Sequence, residues 1–121
     1  MGQKSGRRWD SIPRTGLPTT LLINGESWGL VRVDSMEDHI VTGTTYCTNH
    51  VITYLAHQSV SELRTTLWHE VFHAGACAHG GDEWWNSIHP TRNEHIGVNH
   101  LADFLSDFSR ANREFMRWMQ D

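Results

Sequence analysis

Alternation dominates the first half of the chain, and a helical period dominates the second. Thr19 to Ile23 reads Thr-Thr-Leu-Leu-Ile, a β-prone run. Asn24-Gly25 follows, a strong two-residue hairpin signal. Trp28 to Val33 alternates, with Trp28, Leu30 and Arg32 on one side and Val31 and Val33 on the other. A hairpin is the expected product. Asp34 to His39 is acidic and reads as a loop or a short helical turn. Ile40-Val41-Thr42 and Thr44 to Cys47 are again β-prone, with Gly43 as a break between them. His50 to His57 alternates once more and predicts a last strand. That strand reads either as an ordinary sheet strand or as an edge that pairs with an extended peptide.

From residue 59 the period changes. Ser59-Val60-Ser61-Glu62 has the form of a capping box. Leu63, Leu67, Val71 and Ala74 then recur at helical spacing, so a helix is predicted over roughly 60–78. Gly75 and Gly80-Gly81 offer stops. The stretch 80–92 reads as a long loop, with Trp84-Trp85 either plugging the core or walling a pocket. Thr91-Arg92-Asn93-Glu94 is a second capping-box pattern. Val98, Leu101, Leu105, Phe108, Phe115 and Met119 extend a second helix, with a break or bend expected near residues 109–112. Strands first and helices after indicate an α+β domain.

A length of 121 residues suits one domain, 1–121, with one core. Residues 1–17 lack periodicity and read as a loose basic lead-in. Lys4, Arg7, Arg8 and Arg14 against Asp10 leave the first fourteen residues at +3 and the remainder at −7, within a total of −4. The overall charge does not mark a nucleic-acid binder; the basic start reads first as a solvated, frayed terminus, with a phosphate-contacting arm as the alternative. No apolar run is long enough for a transmembrane helix, and the start lacks a signal-peptide core. Cytoplasm is the expected compartment, and Cys47 and Cys77 are expected as buried reduced thiols.

The predicted first helix carries His69-Glu70-Val71-Phe72-His73, an HExxH motif. Two imidazoles four residues apart on a helix differ by roughly 40° in azimuth and about 6 Å in rise. They point the same way and suit one zinc ion, while Glu70 on the flank suits the base that polarises water. A catalytic zinc takes three protein ligands, so a third is needed. Glu94 is the first candidate. Counting from it by +4, +7, +11 and +14 reaches Val98, Leu101, Leu105 and Phe108. On that reading it is a carboxylate on an apolar face, in need of a cation. A plain capping role is its alternative. His79 completes a metzincin-like spacing of three histidines. However, Ala76 stands where the turn glycine belongs, and no Met-turn is evident. His89 and His95 are lesser candidates. Cys77, eight residues after His69, also approaches this face.

On these residues the chain resembles the minimal gluzincins, small zinc metallopeptidase-like proteins often encoded by phages and prophages. The resemblance rests on three stretches across residues 19–108: Ile23-Asn24-Gly25 with Trp28, Thr66 to Ala74, and Asn93-Glu94 opening an apolar helix. It implies a small twisted, mostly antiparallel sheet packed on an active-site helix and a second, glutamate-bearing helix. It implies His69, His73 and Glu94 as Zn2+ ligands and Glu70 as general base. It also implies a peptide or protein substrate in the cytoplasm, that of the host for a phage-encoded protein. Two departures stand out. Val98 occupies the position of an Asp found in larger gluzincins, and the helical domain that supplies their oxyanion donor is absent. Tyr54, His79 and His89 are candidates for that donor. A latent or regulatory zinc-binding protein is the alternative function.

Overall fold

The computed structural model describes residues 16–35, 41–78 and 94–120, with backbone alone over 94–100. Strand β1 (Thr20–Ile23) and strand β2 (Glu26–Val33) form the expected antiparallel hairpin. Asn24 and Gly25 both take positive φ, 53° and 78°, the pairing a tight type I′ hairpin turn requires. Strands β3 (Gly43–Tyr46) and β4 (Val51–Leu55) form a second antiparallel pair. β4 also pairs with β2, in parallel, to give the order β1-β2-β4-β3. Two of three pairings are therefore antiparallel, but the central one is parallel and the sheet is mixed. β3 therefore lies within the connection between β2 and β4, two strands whose parallel pairing requires a crossover longer than a hairpin turn. β4 thus lies inside the sheet, which favours the ordinary-strand reading of His50 to His57 over the edge reading, and β3 is the edge on this side among the described strands.

Helix α1 (Val60–Ala78) begins as predicted. Ser59 Oγ accepts from the Glu62 amide and Glu62 Oε1 accepts from the Ser59 amide, both at 3.1 Å. These bonds from Ser59 hold the Glu62 carboxyl below its ordinary range. A lowered folded-state pKa adds stability above the unfolded value, and that stability is lost as pH falls. Leu63, Leu67, Val71 and Ala74 are fully buried against the sheet. Each buried Leu or Val contributes ~1.5–3 kcal/mol, so this stripe outweighs the cap, worth ~1 kcal/mol.

Helix α2 (Glu94–Ala111) and helix α3 (Arg113–Gln120) complete the α+β fold, a four-stranded mixed sheet packed with three helices. The predicted break falls at Asn112. Among the described side chains of α2, Phe104 and Phe108 are buried, while Leu101 and Leu105 are only half-buried. The apolar stripe is therefore rotated from the one spacing suggested. Its cause is Gly75, which is not a helix stop but lies buried inside α1. A Cβ there would meet Phe104 Cε1 at 2.6 Å, so the missing side chain admits the Phe104 ring.

Asn112 ties this helical pair to the sheet. Its side-chain Oδ1 accepts from the Leu22 amide, and its Nδ2 donates to the Leu22 carbonyl, each at 2.7 Å. The side-chain amide thereby satisfies both backbone groups of one residue on edge strand β1, which blunts that edge.

Three further expectations change. Leu17, placed in the loose lead-in, is part of the core. Gly43 opens β3 instead of interrupting it. Cys47 and Cys77 are joined by a disulfide, not held as reduced thiols, with Cα atoms 5.9 Å apart. Cys47 is exposed and Cys77 half-buried, because both lie where the β3–β4 turn meets the end of α1. Disulfides are rare in a reducing cytosol, so the thiols do not support the cytoplasmic expectation. No described helix is long and apolar enough to cross a membrane. The expectations for residues 1–15, for residues 36–40, for the Trp84-Trp85 loop and for the cap at Thr91 lie outside the described residues.

Candidate metal centre

Helix α1 positions the HExxH residues as its period dictates. Val71 and Ala74 face the sheet, so His69 and His73, on the other side, are exposed. Their Nε2 atoms lie 3.0 Å apart, with ring centroids at 4.6 Å and planes inclined by 72°. Two nitrogens bound to one tetrahedral zinc at ~2.0–2.1 Å each are about 3.3 Å apart. The pair therefore fits a shared zinc ion with a shift of a few tenths of an ångström. Trp68 and Phe72, on the flank of the same helix, stack on each other with centroids 5.7 Å apart and pack on the core.

Glu70 differs from both histidines. It is buried, only 6% exposed, and turned toward β3. Thr45 Oγ1 lies 2.7 Å from Glu70 Oε1 and 3.1 Å from the Glu70 carbonyl. Gly43, two residues earlier on the same face of β3, makes the approach feasible. A Cβ there would sit 2.7 Å from Thr66 Cγ2 and 3.0 Å from Glu70 Cγ. Thr42 and Thr66 hydroxyls meet at 3.0 Å, and Thr66 donates to Gln58 Oε1 at 2.9 Å. Gln58 in turn donates to the carbonyls of Leu55 and Thr42. The edge strand is thus fastened along α1 by Thr42, Gly43, Thr45 and Cys47 in succession.

Sequence reasoning missed Thr45, Gly43 and Gln58. Residues 43 and 45 share a face only because Gly43 belongs to β3, where the sequence suggested a break. Nothing local indicated that this face meets α1.

The third ligand is not brought into view. Glu94 is the first residue of α2, but its side chain, like that of His95, lies outside the described residues. His79 and His89 lie outside them altogether. Among the described residues no group of three His, Cys, Asp or Glu side chains comes together. Tyr54, a candidate oxyanion donor, is buried in the core. His50 stacks on Trp28 at 4.7 Å with Glu26 at 3.8 Å, in the β3–β4 turn, and takes a structural place.

No family model matches the chain, and no curated protein or solved structure matches it.

Proposed function

We propose that the chain is a zinc-dependent metallopeptidase-like protein of the minimal gluzincin type. The observation that carries the reading is the convergence of His69 and His73 Nε2 on the exposed face of α1, beside a buried Glu70. His69, His73 and Glu94 hold the metal. When bound, zinc supplies a Lewis acid that lowers the pKa of water and polarises the scissile carbonyl. Glu70 accepts a proton from the attacking water and returns it to the leaving amide nitrogen. Edge strand β3, which pairs with β4 alone among the described strands, offers its other side to an extended peptide.

Metal analysis and zinc titration test the reading. Protein purified without chelator carries about one zinc per chain. Glu94→Ala weakens zinc binding at least about tenfold more than His79→Ala, because two imidazoles and water make a poor zinc site. A capping role for Glu94 predicts a stability loss of about 1 kcal/mol, with and without metal, and nearly unchanged affinity. A folded, monodisperse and metal-free preparation overturns the proposal. Loss of metal in His79→Ala with retention in Glu94→Ala replaces it with a three-histidine site.

A further inference from the structure

We propose that Thr45 is a positioning residue that aims the Glu70 carboxylate; this rests on the zinc reading above. Thr45 has one hydroxyl proton and two acceptors within reach, both on Glu70. The shorter contact, 2.7 Å to a carboxylate oxygen, takes the proton, since a charged acceptor makes the stronger bond. A buried carboxylate is costly without hydrogen bonds. Among the described residues Thr45 is the side chain that supplies one. With Oε1 held, Oε2 is the oxygen left to accept a proton.

The surrounding geometry makes the hold stiff. Gly43 leaves a notch for the Glu70 stem, with no room for a methyl group. Thr45 is β-branched, so its χ1 freedom is small. Its strand is tied to α1 on either side, by Thr42 to Thr66 and by Cys47 to Cys77. Strand and helix thus give the carboxylate one position relative to His69 and His73.

A double-mutant cycle on the zinc-loaded full chain tests this, with acetohydroxamic acid as the probe. A hydroxamic acid chelates zinc through two oxygens and presents a proton that a neighbouring carboxylate accepts. Thr45→Val removes the hydroxyl and keeps the shape. It weakens hydroxamate binding about tenfold in the parent and less than about twofold in a Glu70→Ala background, because its effect passes through Glu70. Thr45→Ser restores binding to near the parent value, and zinc affinity is the same in all threonine variants. Should the valine variant not fold, Thr45→Ala carries the same comparison. Equal losses in both backgrounds, or no loss in the parent, overturn the inference while leaving the zinc reading intact. A parent chain that binds no zinc in the prior titration removes both.

Discussion

Glu70→Gln leaves zinc on the protein and lowers peptide hydrolysis at least about a hundredfold. The amide keeps the volume of the carboxylate, and its carbonyl oxygen still accepts from Thr45, whose oxygen lies 2.7 Å from Oε1 in the parent. The hydrogen bond from Thr45 is therefore kept, and the side chain keeps its place against β3. What the amide cannot do is take a proton from water. The two imidazoles proposed as ligands are untouched, so zinc stoichiometry is expected to stay at about one. The measurement is the rate of cleavage of a quenched fluorescent peptide library by parent and variant at matched zinc content. A variant that cleaves at the parent rate removes Glu70 from the role of base. Loss of zinc along with activity would instead make Glu70 a ligand.

Asn112→Asp destabilises the fold by about 3 kcal/mol, near the top of the range for leaving a buried polar group unsatisfied. The position is demanding because one side-chain amide serves several backbone groups. Nδ2 donates to the Leu22 carbonyl at 2.7 Å and to the Phe108 carbonyl at 2.9 Å, while Oδ1 accepts from the Leu22 amide. An ionised aspartate keeps the last bond, loses both donors, and sets a negative oxygen against two carbonyls. Asn112 is buried, so water does not readily substitute. The loss lies at the junction of β1, α2 and α3, where Phe108 and Phe115 pack edge to face. Urea unfolding of parent and variant at neutral pH reads it. A midpoint equal to that of the parent, with unchanged slope, would show that the amide does not hold β1 to the helices.

The contrast between these two positions shows what was legible in the order of residues. Glu70 stands in a pattern whose placement follows from helical geometry alone, so its position between His69 and His73 on α1 was readable. Asn112 was readable only as part of the break or bend expected near residues 109–112. Its role depends on Leu22, 90 positions away, and nothing near either residue announces the other. Gly75 was misread for a related reason. A glycine near the expected end of a helix has two uses, to stop it or to admit a neighbour. The neighbour here, Phe104, comes from another helix.

By itself the sequence determined the Asn24-Gly25 hairpin, the Ser59–Glu62 cap, the buried stripe of α1 and the projection of His69 and His73 to one side. All of these depend on interactions within a few residues, where backbone geometry and side-chain period leave little choice. Tertiary structure alone decided the parallel pairing of β2 with β4, the edge position of β3 among the described strands, the Cys47–Cys77 bond and the hydrogen bond of Thr45 to Glu70. Each joins segments that approach only after the chain has folded back. Their partners are selected by how the sheet and helices bury a common core, a condition no local stretch records.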